Sequence, residues 1–135
     1  MDLSTKVAQN RTIDIVDPAT AEPCGIKIEL RPITSREVKE VKRQFTDQNF
    51  KDRGKSMTAI KMDANGIDIL VAATAGWQWG KDPQGEENTF EGAKPEFNPD
   101  NVRRVYRKLP WLRTQVDDAL GDEAAFFRSA PASAD

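Results

Sequence analysis

The stretch that decides the fold runs from Gly76 to Phe127 and reads GWQWGKDPQGEENTFEGAKPEFNPDNVRRVYRKLPWLRTQVDDALGDEAAFF. It holds all three tryptophans, the only tyrosine and four of the six phenylalanines of the 135-residue chain. Its first five residues, up to Gly80, predict a tight turn, and the polar loop that follows is bounded by Phe90 and Phe97. We therefore expect the fold to be organised around this half of the chain.

Two helices are predicted in the second part of this stretch. Asn98 is a typical N-cap, and Pro99 suits the first helical position because no amide donor is needed there. Pro110 in turn can open the next helix. The buried stripe of the first helix is expected to comprise Val102, Val105, Tyr106 and Leu109. The inner face of the second is expected to comprise Trp111, Leu112, Gln115, Val116, Ala119 and Leu120.

Upstream of the stretch, the most apolar helix candidate runs from Ile67 to Thr74, and Gly76 is a plausible residue to stop it. The segment Asp63–Asp68 resembles the start of a calcium-binding loop, but its glycine and its position twelve do not fit that pattern. A turn that caps the helix is the better interpretation of this segment.

An earlier helix is predicted from a capping box at Thr34 and Glu37. The positions Val38, Val41 and Phe45 then line one face at helical spacing. The polar, basic segment 49–56 is predicted to be a loop.

The N-terminal third contains two alternating segments, Thr12–Asp17 and Gly25–Arg31, joined by a loop with two prolines. Alternation of apolar and polar residues has the period of a half-buried strand, and the short connection favours an antiparallel hairpin. The fold class is therefore predicted to be α+β, with this hairpin packed on a mainly helical C-terminal part of about four helices. Residues 1–128 are expected to form a single domain, and residues 129–135 a disordered tail rich in alanine and serine.

Composition argues against several classes of function. The chain has no histidine, which removes the commonest general base and metal ligand, and the glycines form no phosphate-binding loop. Its one cysteine, Cys24, can form no intramolecular disulfide and suits a reducing cytoplasm. We therefore expect no enzymatic activity, no cofactor and no metal. No apolar run approaches the roughly 18 residues of a membrane span, so no membrane partner is expected either.

The order of aromatic and turn residues from about Ile67 to Phe127 resembles the C-terminal part of tail assembly chaperones from long-tailed bacteriophages. The shared features are a Gly-Trp turn after a helix, an acidic loop with glycine, a phenylalanine before an N-cap, a helix that ends near a proline, and a phenylalanine at the end of the last helix. This pattern contains no catalytic signature.

The resemblance implies a non-catalytic protein made in the cytoplasm of the infected bacterium and absent from the finished virion. It implies binding to the long, helical tape measure protein and recruitment of tail tube protein subunits. Self-association is a further possible contact. The alternative is a structural tail or head–tail connector component that stays in the virion and pairs its hairpin edge with a neighbour.

The residues expected to contact a partner are mainly aromatic. Trp77, Trp79, Phe90 and Phe97 flank a loop, where large side chains have fewer core partners and are often presented to other molecules. The competing interpretation is that one tryptophan is core and the other lies over the loop.

Arg103 and Arg107, on one helix face, are the second candidate surface. Basic residues interleaved with aromatic ones could bind single-stranded nucleic acid. The net charge of −2 favours another interpretation, in which these arginines are solvated or pair with Asp117, Asp118 or the loop acids Glu86 and Glu87. We therefore expect no nucleic-acid partner.

Overall fold

The structure is a computed structural model that describes residues 2–51 and 59–128, with side chains described for residues 2–47 and 63–128. Its elements, in chain order, are a 3-10 turn at Leu3–Thr5, β1 at Arg11–Val16, β2 at Pro23–Leu30, α1 at Arg36–Lys51, α2 at Ala59–Ala73, β3 at Thr74–Trp79, α3 at Pro99–Lys108, α4 at Pro110–Gly121 and α5 at Glu123–Arg128. The predicted α+β class and its N-terminal antiparallel hairpin are confirmed. The predicted tail, 129–135, lies outside the described residues.

The three strands form one antiparallel sheet in the order β1-β2-β3. Ile28 in the central strand lies opposite Ile13 of β1 and Trp77 of β3. Alternate residues of β2 are buried, which places one face of the sheet on the helices and leaves the other to solvent. The buried face comprises Ile13, Ile15, Cys24, Ile26, Ile28, Leu30 and Trp79.

The third strand corrects the prediction of a tight turn at Gly76–Gly80. Helix α2 ends at Ala73, so Thr74 begins β3 and Gly76 is not a helix stop. The physical reason is that Thr74–Trp79 pairs with the edge of β2, and in a strand Trp77 and Trp79, two residues apart, share one face.

Hydrogen bonds hold the junction between α2 and β3. The hydroxyl of Thr74 donates to the carbonyl of Leu70 at 2.7 Å and lies 2.6 Å from the hydroxyl of Tyr106. Arg31 donates from Nη1 to the carbonyl oxygens of Ala72 and Thr74, at 2.9 and 3.0 Å. These hydrogen bonds therefore satisfy backbone carbonyl groups at the point where the chain changes abruptly from helix to strand.

Three local predictions around α1 and α2 are wrong. Asp63–Asp68 lies within α2 and is no turn. Residues 49–51, placed in a loop, belong to α1, whereas 52–56 lie outside the described residues. Ser35 accepts from the amide of Val38 at 3.4 Å, directly before α1, so Ser35 takes the capping position assigned to Thr34.

The C-terminal helices follow the prediction closely. The side chain of Asn98 accepts from the amide of Asn101 at 2.8 Å, and prolines open both α3 and α4. The residues buried on these two helices are Val102, Val105, Tyr106, Leu112, Val116 and Leu120. Trp111, predicted to be core, is only partly buried and packs against the core from outside. No helix in the described ranges is long and apolar enough to cross a membrane.

Candidate partner-binding surface

The four aromatic residues expected to bind a partner form one continuous row, which we call the aromatic row. Phe90 packs edge-on against Trp79 with ring centroids 6.4 Å apart. Trp79 contacts Trp77, and Trp77 contacts Phe97, each at 5.6 Å between centroids. All three pairs have the T-shaped geometry that aromatic rings favour. The structure therefore brings together residues that are up to 20 positions apart in the sequence.

The aromatic row is not uniformly exposed. Trp79 is 8% exposed and belongs to the core, whereas Phe97 is 40% exposed. Trp77 and Phe90 are half-buried, and Nε1 of Trp77 donates to the carbonyl of Pro95 at 3.1 Å. The expectation that Trp79 is presented at the surface is therefore wrong: Trp79 is core and Trp77 contacts the loop between Phe90 and Phe97, which agrees with the competing interpretation.

The loop after β3 is fixed to the sheet by Asn88. Its Nδ2 donates to the carbonyl of Cys24 at 2.7 Å and to that of Gly80 at 2.8 Å. Gly25, with φ of +96°, lies so close to Lys81 that an added Cβ would meet the Lys81 carbonyl oxygen at 2.0 Å. Only glycine allows this approach, which holds the loop over the row.

Phe97 borders an apolar groove between the first three helices, which we call the α1–α3 groove. Its volume is about 610 Å³, within the range of ligand-binding clefts. Val41 contributes from α1, Val71 and Ala72 from α2, and Val102 from α3. Of these only Val102 is fully buried by the protein's own packing, so the others leave apolar surface open.

The rim of the α1–α3 groove carries charges of both signs. Arg31 and Glu37 form an ion pair at 3.4 Å, and Arg36 and Glu40 lie on the same rim. Hydrogen bonds from Arg43 hold the pKa of Glu40 below its usual range, so this carboxylate keeps its charge down to lower pH. An apolar floor with a mixed rim suits one face of an amphipathic helix.

A second hollow, of about 440 Å³, lies at the other end of the aromatic row. Trp79, Phe90 and Trp111 line it together with more polar groups, including Asn88 and Lys108. The buried Nε1 of Trp79 has no hydrogen-bond partner among the described residues. The α1–α3 groove and this second hollow therefore lie at opposite ends of the aromatic row, with Phe97 at the groove and Phe90 at the hollow.

Three basic residues of α3 pair with acids other than the predicted ones. Arg103 pairs with Asp68 of α2 at 3.0 Å and with Asp100 at 3.6 Å. Arg104 and Lys108 both pair with Glu91. The predicted partners Asp117, Asp118, Glu86 and Glu87 are therefore wrong, because the packing of α3 on α2 and on the loop brings nearer carboxylates into reach.

Arg107 is exposed and makes no ion pair within the part of the chain that the structure describes. Neither Arg103 nor Arg107 lines the α1–α3 groove. The two arginines therefore form a site separate from the aromatic row and the groove.

Sequence reasoning missed the walls of the groove. The sequence predicts that Val41 lies on an amphipathic face with Val38 and Phe45, but it does not identify the neighbours of Val41 across the groove. In the structure Val38 is fully buried, whereas Val41 and Phe45 are only half-buried. A groove of this kind is indicated by an apolar helix face that is wider than the area its neighbouring helix covers. That difference can be seen only once α2 is placed beside α1.

Among residues 2–51 and 59–128, no group of three or more histidine, cysteine, aspartate or glutamate side chains is placed to hold a metal ion. Comparisons of the chain with protein-family models, with curated proteins and with solved structures gave no match.

Proposed function

We propose that this protein is a non-catalytic tail assembly chaperone of a long-tailed bacteriophage, which binds the tape measure protein in the host bacterial cytoplasm and helps to recruit tail tube protein. The proposal starts from the pattern of aromatic and turn residues between Ile67 and Phe127. The observation that carries it is the α1–α3 groove, an apolar cleft that the described residues leave unfilled. A long helical partner offers many amphipathic segments of the kind that enter such grooves.

The groove favours weak, repeated binding over one tight contact. Among the described residues its floor is formed by small and medium side chains, mainly valines, alanine and proline, with Phe97 as the large aromatic group. Binding hot spots are usually large aromatic or arginine side chains, so a single occupied groove is expected to bind modestly. Many copies bound along one long partner would still cover it stably through avidity.

The proposal makes Phe97 the residue to change first. Because its ring is 40% exposed, Phe97→Ser should leave the fold intact while removing the largest apolar group of the groove. We expect this variant to lose about 2 kcal/mol of binding to a helical tape measure segment in calorimetry or pull-down assays. Phe127→Ser is the matched control, because Phe127 is 41% exposed and lies outside the groove.

Equal binding by both variants would rule out the groove as the partner site, and the exposed Arg107 would be the next position to change. Co-expression with the tape measure protein tests the function itself, since a chaperone should keep that partner soluble. Purified virions distinguish the alternative: a chaperone is missing from them, whereas a tail or connector component is retained.

A further inference from the structure

We propose that the α1–α3 groove selects helices that carry an acidic residue at one end of their apolar face, because the acids on its rim are already paired while part of its positive charge is not. This inference rests on the proposed function, since it specifies the partner of the same groove. The charged residues that line the groove are Arg31, Arg36, Glu37 and Glu40. Complementary charges of this kind decide which partner binds and in which register.

Both acidic residues of the rim have a basic partner within the chain. Glu37 lies 3.4 Å from Nε of Arg31. Glu40 accepts hydrogen bonds from Nε and Nη2 of Arg43, which belongs to the next turn of α1 and does not line the groove. A basic residue on a partner would therefore have to compete with contacts that already exist.

Positive charge is left over at the start of α1. Arg36 is the first residue of that helix, it is exposed, and it makes no ion pair with any described side chain. Arg31 supplies further donors. Its Nη1 is held by the carbonyl oxygens of Ala72 and Thr74, whereas its Nη2 has no hydrogen-bond partner among the described residues. An acidic side chain on the partner would satisfy these groups.

Arg31 suits this role because its guanidinium is fixed before a partner binds. Two hydrogen bonds tie it to the C-terminal end of α2, and the contact with Glu37 adds a third restraint. Its side chain is 27% exposed, so water surrounds only part of it. A restrained, partly desolvated guanidinium loses less conformational entropy on binding a carboxylate than a free surface side chain does.

The partner that fits is an amphipathic helix with an acidic residue beyond one end of its apolar stripe. The apolar stripe would contact the apolar lining residues Val41, Val71, Phe97 and Val102. Arg36 precedes Val41 by five residues, which is about 7.5 Å along a helix. The acidic residue should accordingly lie roughly one to two turns beyond the centre of the stripe.

The test uses three designed helical peptides as probes, each held helical by a side-chain staple because short helices are marginal in water. All three carry the same leucine stripe. They differ only in the residue one turn beyond each end of it, which is glutamate, glutamine or lysine. Fluorescence anisotropy with the full chain measures the dissociation constants. The unchanged chain should bind the glutamate probe about fivefold more tightly than the glutamine probe, and the lysine probe most weakly.

Arg36→Glu should reverse this order. The glutamate probe should lose its advantage, and the lysine probe should bind about fivefold more tightly than to the unchanged chain, as expected for direct pairing. The first turn of a helix favours an acidic side chain, so this variant should fold, and its gain of lysine-probe binding shows that it has. Lys39→Glu is the matched control, because it makes the same change in charge at an exposed position of α1 that does not line the groove.

Equal affinity of the unchanged chain for the glutamate and glutamine probes would overturn the inference, and so would equal effects of Arg36→Glu and Lys39→Glu. A preference for glutamate that persists while Phe97→Ser leaves binding unchanged would place the probes outside the groove and overturn it as well.

Failure of this inference is distinct from failure of the proposed function. If the probes bind without regard to charge and Phe97→Ser weakens all three, the groove still accepts helices and the proposed function stands. If the chain selects the glutamate probe but leaves the co-expressed tape measure protein insoluble, the charge selection stands and the proposed function fails.

Discussion

Trp79 and Phe97 belong to one row of aromatic rings, yet their side chains have different surroundings. Trp79 comes from the inward face of β3 and is almost fully buried, whereas Phe97 precedes the cap of α3 and borders the groove. Burial makes the first a stability residue and exposure makes the second available to a partner. Substitutions of the two should therefore affect different properties.

Trp79→Ala should destabilise the protein by about 3–5 kcal/mol, because it leaves a large cavity between the sheet and the loop. Trp79→Phe is the informative comparison. It keeps an aromatic ring and removes the indole N–H that has no partner among the described residues, so its loss should be clearly smaller. Urea denaturation measures both, and equal losses for the two variants would contradict this account.

Tyr106 provides a prediction about pH. Burial raises the pKa of its hydroxyl, and the hydrogen bond with Thr74 offsets this only in part. A group whose pKa is raised on folding contributes stability that is complete below its unfolded pKa, about 10 for tyrosine, and is lost as the pH rises above that value. The free energy of unfolding should therefore fall more steeply above about pH 10 in the unchanged chain than in Tyr106→Phe.

Tyr106 is the only tyrosine, so tyrosinate absorbance reports on it alone. We expect this absorbance to appear together with unfolding and not before it. Tyrosinate formation in the folded protein at about pH 10 would show that the hydroxyl is solvated.

At the scale of elements, helix α4 caps the β1 edge of the sheet through the side-chain amide of one residue, Gln115. Gln115 replaces a strand neighbour at Val16: its Oε1 accepts from the amide of Val16, and its Nε2 donates to the carbonyl. Both groups are half-buried, so their loss cannot be fully compensated by water. The helix thereby stabilises the strand and blocks its edge.

Gln115→Ala should cost about 1–3 kcal/mol of stability because it leaves both backbone groups of Val16 without their partner. Gln115→Glu keeps an acceptor for the amide of Val16 but loses the donor to its carbonyl, so an intermediate loss is expected. Hydrogen exchange at the Val16 amide gives a local measurement: protection should fall most in the alanine variant. Unchanged protection would show that Gln115 does not cap β1.

At the scale of the whole molecule, ion pairs link α2 to the C-terminal helices. Arg103 reaches Asp68 at 3.0 Å, and Arg113 reaches Asp63 at 2.7 Å. Each arginine is partly buried, but each carboxylate is more than a third exposed, so solvent screens both pairs. These contacts orient α2 more than they stabilise the fold, and the buried apolar side chains supply most of the stability.

A double-mutant cycle with Asp68→Asn and Arg103→Gln should give a coupling energy of no more than about 1 kcal/mol. The coupling should decrease further in about 1 M salt, because the screening length is then only about 3 Å. Thermal denaturation of the four proteins provides the measurement. A coupling of several kcal/mol that resists salt would mean that this pair is shielded from solvent.

Local patterns in the chain were sufficient to predict the hairpin and the C-terminal helices. The alternation in Thr12–Asp17 and Gly25–Arg31 defines strands, and the caps and prolines at Asn98, Pro99 and Pro110 define where α3 and α4 begin. Each of these signals acts over a few residues, through backbone sterics, capping and the period of apolar side chains. The same patterns also identified the aromatic residues that form the row.

Only the tertiary structure decided which surface each of those residues occupies. Thr74–Trp79 follows an apolar helix without a break, and it becomes a strand because β2 offers it a hydrogen-bonding edge. That pairing directs the side chain of Trp79 into the core. Phe97 remains beside a groove whose walls come from three helices. Burial depends on neighbours that are distant in the sequence, so the spacing of residues within one segment could not determine it.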